Sequence, residues 1–242
     1  MDRLARARSR SVMICTPIAR DPAWQYTRSI VDTCITLERL GIKHQVQFIV
    51  GNSNLPRARN ELVAEFLASP YDDMLFVDDD MGWHQDAVVR LMASDKPFIG
   101  GVGRKRVDKP NSDPAVWCVR LLAGASLVQD DFGSVQVHSV GTGFLKISRS
   151  VFDALIAAHP DWKRRGHDTM RPSVRANYYK FFRFGDDAYE TGEDYEFCRS
   201  WHRLGGSVWI DPEIALSHVG SRDYHGSISE LMVETNSASE AA

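Results

Sequence analysis

Cysteine is scarce in this chain. Cys15, Cys34, Cys118 and Cys198 are the four among 242 residues, and none forms a Cys-x-x-Cys pair. That spacing excludes a zinc ribbon or a thioredoxin-type redox motif and fits a reduced compartment. Long apolar runs are missing too: no stretch approaches the roughly 18 residues that a membrane-spanning helix needs. The basic segment from Met1 to Arg10 is not followed by the uninterrupted apolar run of an export signal. The expectation is a cytoplasmic protein with no membrane partner, residing in the host cytoplasm if a phage encodes it. No internal repeat is visible. No Gly-x-Gly-x-x-Gly fingerprint or Walker loop occurs, since Gly100-Gly101-Val102-Gly103 has neither spacing. A strong excess of one charge is also lacking, because the formal net charge is −3. That argues against a uniformly basic nucleic-acid coat while leaving local patches open.

What is present is an ordinary globular composition, 43% hydrophobic and 25% charged, with enough length for one large domain. Apolar runs alternate with helical periodicity over the first hundred residues. Strands are expected at 11–18, 45–50, 74–78 and 97–101, and helices at 21–40, from Leu55-Pro56 through Leu67, and at 85–94. Gly41 is expected to close the first of these helices. Such alternation implies a parallel sheet with helices on both faces and all strand C-termini along one edge, where ligands of such sheets bind. After Gly101 the helices thin out. Strands at 115–122 and 135–148 imply a mixed sheet with antiparallel pairing. Helices follow at 150–158 and 193–204, the second with Thr191 as N-cap, and the stretch from 160 to 185 is irregular. Short strands are expected at 208–210 and 214–217. The division is a basic arm at 1–10, a domain at 11–226 with halves at 11–103 and 104–226, and a polar, disordered tail at 227–242.

The chemistry concentrates where Met74-Leu75-Phe76-Val77 runs into Asp78-Asp79-Asp80. Three adjacent carboxylates repel one another and raise each other's pKa unless a cation offsets them. If the strand continues, Asp78 and Asp80 share a face and Asp79 turns away, giving an Asp-x-Asp clamp for magnesium or manganese. Which of the three acids takes the cation stays open, and solvated acids at a strand end are the ordinary alternative. His218 ends another apolar run and could complete a mixed oxygen and nitrogen site. Glu193 and Asp194 open the last helix, where acids stabilise the N-terminus with no catalytic duty. They also suit proton abstraction from an acceptor hydroxyl.

Taken in order, Cys15-Thr16-Pro17, Arg57-Ala58-Arg59-Asn60, Leu75 to Asp80, Gly141-Thr142-Gly143-Phe144, Gly192-Glu193-Asp194 and Leu216-Ser217-His218 resemble a GT-A fold glycosyltransferase of the family-2-like type. The resemblance spans most of residues 11–226. It implies a single α/β domain and a nucleoside-diphosphate sugar donor, UDP-sugar first among them. It places Asp78 on the ribose, Asp80 and His218 on a divalent cation, and Thr16, Pro17, Arg20, Arg59 and Asp79 around the nucleotide. It also implies that Asp194 is the catalytic base of an inverting transfer and that Glu193 helps hold the acceptor.

For the acceptor, residues 161–184 carry seven Lys or Arg against two acids, interleaved with Trp162, Tyr178, Tyr179, Phe181, Phe182 and Phe184. Basic side chains among aromatics suit phosphates and stacked bases, and the ordinary alternative is a solvated loop over core aromatics. Gly141, Thr142, Gly143, Arg104, Lys105, Arg171 and Arg175 are the acceptor candidates. Some phage-type members of the resembled group glycosylate hydroxymethylated pyrimidines in DNA, which makes DNA the preferred acceptor and a saccharide or cell-surface glycan the rival. A nucleotidyltransferase and a non-catalytic nucleotide-sugar-binding module are the readings from other classes.

Overall fold

The computed structural model describes residues 2–122, 128–186 and 191–232. Helix α1 (Arg3–Arg8) leads into β1 (Val12–Ile18), α2 (Trp24–Arg39), β2 (His44–Val50), α3 (Leu55–Leu67), β3 (Asp73–Val77), β4 (Met81–Trp83), α4 (Asp86–Ala93) and β5 (Phe98–Gly100). The first half thus has the expected alternation. Its punctuation has local causes: the Asn54 side chain accepts from the Arg57 amide at 3.0 Å to start α3, and Pro56 fits the first turn. Gly41 takes φ +69° just past α2 while Ile42 N–H reaches back to Leu37 O at 2.9 Å, closing the helix as expected.

The second half contributes β6 (Val119–Arg120), β7 (Val135–Val137), β8 (Ser139–Val140), β9 (Phe144–Ser148), α5 (Arg149–Ala158), α6 (Pro172–Arg175), α7 (Glu193–Arg203), β10 (Val208–Ile210), β11 (Leu216–Val219) and β12 (Asp223–Gly226). Seven strands form one sheet in the order β2-β1-β3-β9-β5-β10-β7, while β12-β11-β4 make a small second sheet and β6-β8 a ribbon. Strands β1, β2, β3, β5 and β10 run one way, and β9 is inserted antiparallel between β3 and β5. The start of β9 therefore lies at the same edge as the ends of its neighbours, which carries Gly141-Thr142-Gly143 to the edge bearing Asp78.

Strand side chains alternate between two cores, as a pleat requires. Met13, Cys15, Met74 and Phe76 pack against Leu62, Phe66, Phe152 and Phe197 from α3, α5 and α7. Val12, Ile14, Leu75 and Val77 face Tyr26, Ile30, Leu37, Val88 and Leu91 from α2 and α4. The whole is a single mixed α/β domain.

Three local expectations change. The three acids do not continue the strand: β3 ends at Val77, and 78–80 form a turn in which Met81 N–H bonds Asp78 O at 3.1 Å. The residue capping α7 is Gly192, not Thr191. The segment expected to begin the tail is folded, with Ile228 and Leu231 buried in the first core; positions 233–242 lie outside the described residues.

The expected arm is also docked. Ala7 is fully buried, and Arg10 bonds the buried Asp73 through Nε at 2.5 Å and a terminal nitrogen at 2.8 Å, while Ser148 donates to the same carboxylate at 2.6 Å. Asp73 raises the Arg10 pKa by that hydrogen bond. Arg10→Ala would strand a buried carboxylate and is expected to cost about 3 kcal/mol in urea unfolding, the low end for a broken buried pair because Arg10 itself reaches solvent. An unchanged midpoint would contradict this docking.

Candidate active site

The edge where β3 ends and β9 begins gathers carboxylates around one buried cation. Arg59, on the inner face of α3, is 3% exposed. One terminal nitrogen bonds Asp78 at 3.1 and 3.3 Å, and the other bonds Glu193 at 2.5 Å. Arg59 thereby ties the end of β3 to the first turn of α7. Its Nε is buried with no partner among the described residues.

Glycines let the acids approach. A Cβ on Gly143 would sit 3.3 Å from Asp78 Oδ2, and one on Gly192 would sit 3.1 Å from Asp194 Oδ1. Asp78, Gly141, Thr142, Gly143, Asp194, Tyr195 and His218 line one cavity of about 170 Å³. Burial, reinforced by the neighbouring Glu193, raises the Asp194 pKa, and the Tyr195 amide bonding it at 2.8 Å opposes that. A carboxylate of raised basicity beside a cavity can accept a proton from a bound hydroxyl. Cys118 also lines this cavity, but burial pushes its thiol up to about 11, which leaves it protonated and unsuited to nucleophilic attack. Thr142 is 1% exposed and its hydroxyl has no hydrogen-bond partner among the described residues.

The second half of the site follows from strand pairing. Antiparallel β4 and β11 place His218 opposite Met81, and Val219 N–H bonds Asp80 O at 2.8 Å. His218 Nδ1 lies 2.7 Å from the Arg104 carbonyl, which can only accept, so Nδ1 carries the proton. Burial lowers the His218 pKa, so the ring is neutral near pH 7 and Nε2 presents a lone pair. That lone pair faces Asp80 Oδ1 at 3.6 Å, and this buried oxygen has no hydrogen-bond partner among the described residues. Two acceptors facing each other with no proton between them fit a divalent cation. Among the described residues no group of three or more His, Cys, Asp or Glu side chains converges on a metal position. Asp80 and His218 could hold a divalent cation as two donors, its other positions being left to ligands from outside the chain, as magnesium and manganese commonly allow.

The remaining sequence candidates lie as follows. Asp79 turns toward the end of β1 and accepts from the Ala19 amide; burial and Asp78 raise its pKa. Thr16 is fully buried and spends its hydroxyl on Tyr26 at 2.8 Å, and Pro17 is buried beside it, so both lie beneath the edge. Arg20 is exposed just beyond β1. Arg104 is 5% exposed and bonds the 105–111 turn, including Val107 O at 2.9 Å and Asn111 at 2.7 Å. Lys105 reaches Ala115 O at 2.8 Å. Arg171 pairs with Glu65, and Arg175 pairs with Asp168 at 3.1 Å. Gly141, Thr142 and Gly143 line the cavity, whereas Arg104, Lys105, Arg171 and Arg175 do not.

One side chain at the site was not among the sequence candidates. Arg106, in the Arg104-Lys105-Arg106 run, pairs with the other oxygen of Asp80. Its basic run was visible in sequence; its partner was not, because the two are brought together only by the β4–β11 pairing.

A comparison with protein families finds no match, and no curated protein matches the chain. Among solved structures, the chain is similar to a mutant of a Drosophila beta-1,4-galactosyltransferase 7, in complex with manganese, UDP-Gal and xylobiose. The TM-score is 0.45 and the identity 15%, over 90% of this chain and 71% of that one. At that similarity the functional reading rests on the side chains of this chain.

Arg106 and a cation would compete for Asp80. Arg106→Ala is expected to tighten Mn²⁺ binding without nucleotide several-fold, as loss of a partly exposed pair allows, measured by Mn²⁺ electron paramagnetic resonance titration. Unchanged or weaker binding would show that Asp80 is not the cation's ligand.

Proposed function

We propose that the protein is a metal-dependent glycosyltransferase of GT-A type that moves a sugar from a nucleoside-diphosphate sugar, UDP-sugar first among candidates, to a hydroxyl acceptor with inversion. The observation that carries this reading is the convergence at one sheet edge of two parts. One is the proton-free Asp80–His218 pair; the other is the raised-pKa Asp194 beside the glycine-lined cavity.

Each part has a chemical duty. A divalent cation held by Asp80 and His218 would neutralise charge on the leaving diphosphate. Arg59 keeps Asp78 and Glu193 from repelling one another and fixes Asp78 at the strand end, where it can meet the ribose hydroxyls. Asp194 takes the acceptor hydroxyl's proton as that oxygen bonds the anomeric carbon and the bond from that carbon to the diphosphate breaks. Glu193, engaged by Arg59, holds α7 in position, so that Asp194 stays aimed at the cavity. A covalent route through Cys118 is disfavoured by its protonated thiol.

The acceptor we favour is a hydroxymethylated pyrimidine in DNA, supported by the basic and aromatic character of residues 161–184; a saccharide is the competing acceptor.

Asp194→Asn is expected to lower turnover by roughly 10²–10⁴ with nucleotide binding nearly intact, whereas Asp80→Asn removes Mn²⁺-dependent turnover. Donor hydrolysis and transfer assays with and without Mn²⁺ test both, and full activity in either variant would reject its role. The pH profile gives a second check. Asp194 must be ionised to act, and its raised pKa makes it hold its proton to higher pH than an ordinary carboxylate. Protonation of His218 would lower activity further on the acid side. kcat/KM should therefore fall on acidification from an apparent pKa above the usual carboxylate range; a profile flat across that range would contradict the assignment.

A further inference from the structure

A second, wider cleft lies apart from the cavity at the acid edge. It has about 650 Å³ and lies between the start of α3 and the segment from Arg164 to Phe184. Arg57, Arg164, Lys180 and Arg183 line it, and among the described residues no acidic side chain does. Arg57 is partly neutralised by Glu61 at 3.0 Å. Arg164 donates to the neutral carbonyls of Asp161 and Lys163, so its charge is left for a ligand. Arg183 stacks on Trp162 at 4.1 Å and reaches Glu196 with one terminal nitrogen at 3.4 Å, while its other terminal nitrogen is buried with no partner among the described residues. At the rim Phe184 is 63% exposed. A strip of cations with an unsatisfied guanidinium donor and an exposed ring is what a phosphate backbone with an unstacked base requires.

The cleft is joined to the acid edge through shared backbone. Asn60 exchanges two hydrogen bonds with Phe182, Nδ2 to the carbonyl at 2.9 Å and the amide to Oδ1 at 2.8 Å. The preceding residue, Arg59, holds Asp78 and Glu193 on the other side. Gly185 N–H bonds Thr191 O at 2.7 Å, one residue before the cap of α7. A polymer lying in the cleft would thus run alongside the wall that carries Asp194. Uncharged glycans have no need of three cations, which leaves a polyanion as the fitting occupant.

We propose that this cleft is the groove for a single nucleic-acid strand, with phosphates on Arg164, Lys180 and Arg183 and an unpaired base stacked on Phe184. Its role in presenting an acceptor rests on the glycosyltransferase reading; strand binding itself does not. For a base drawn from duplex DNA, the groove would hold the strand flanking the extruded nucleotide.

The test is fluorescence anisotropy of a labelled oligodeoxynucleotide, single-stranded and duplex, over a salt series. UDP binding with Mn²⁺ is measured in parallel by calorimetry. The full chain should bind the single strand more tightly than the duplex, with log K falling against log salt at a slope of about −2, as three phosphate contacts predict. Arg164→Glu combined with Lys180→Glu should weaken binding at least tenfold and flatten that slope. Phe184→Ala should weaken it by about five- to a hundredfold at unchanged slope. UDP binding and the thermal midpoint should be unchanged in each variant. Absence of oligonucleotide binding, tighter binding of a sulfated glycan at equal charge, or binding indifferent to these substitutions would overturn the proposal. Loss of UDP binding in the wild type with strand binding retained would instead remove the glycosyltransferase reading and leave the groove.

Discussion

A single buried guanidinium holds this structure's chemistry together. Arg59 is almost completely withdrawn from water, and its two terminal nitrogens are committed to Asp78 and Glu193. Withdrawing such a charge from solvent costs several kcal/mol before its attractions are counted, so Arg59 persists there only because its two carboxylate partners are well placed and the surroundings are packed. Phe182 stacks on Phe197 at 4.6 Å below it, and the Asn60–Phe182 pair pins the adjoining segment. With Arg59 in place, the end of β3 and the first turn of α7 can bring Asp78, Glu193 and Asp194 to one edge despite their like charges. Without it, repulsion would drive α7 from the sheet.

The fold supplies the other half by topology. Antiparallel β9 returns its glycine-rich start to the edge where β3 ends, and the small β12-β11-β4 sheet carries His218 to Asp80. The Arg104 carbonyl then fixes the His218 tautomer, and the same residue braces the turn bearing Arg106. Glu196, four-fifths of a turn beyond Glu193, is met by Arg199 and Arg203 of the same helix and by Arg183 from the segment before it, so the Arg183 pair ties the helix that presents Asp194 to the cleft segment. One helix thereby faces both the acid edge and the wall of the large cleft.

Much of the first half was legible in the residues, because local signals and tertiary contacts agree there. Strands β1 and β3 are apolar on both faces, as burial between two helical layers requires, and Asn54, Pro56 and Gly41 mark helix ends by backbone chemistry alone. The place of Asp194 and the glycines near one edge was legible as an ordered set of motifs. Other features depend on distant pairing and leave no local trace. That β9 separates β3 from β5 is decided by strand partners far apart in sequence. The pleat argument for Asp78 and Asp80 failed because the backbone turns at Asp78; Asp80 meets His218 through β11 instead. Ile228 and Leu231 sit in a polar stretch, so their burial was hidden by their neighbours. The basic residues of 161–184 were visible, but their sorting was not: Arg171 and Arg175 are spent on Glu65 and Asp168, while Arg164, Lys180 and Arg183 face the cleft.

In the proposed reaction Asp80 and His218 share a cation with a nucleoside diphosphate. Pulsed electron paramagnetic resonance of Mn²⁺ bound together with UDP reads this directly. The expected result is coupling to one imidazole nitrogen and to phosphorus in the same spectrum, with the nitrogen signal lost in His218→Gln. Protein-bound Mn²⁺ that shows no imidazole coupling in the wild type would contradict it.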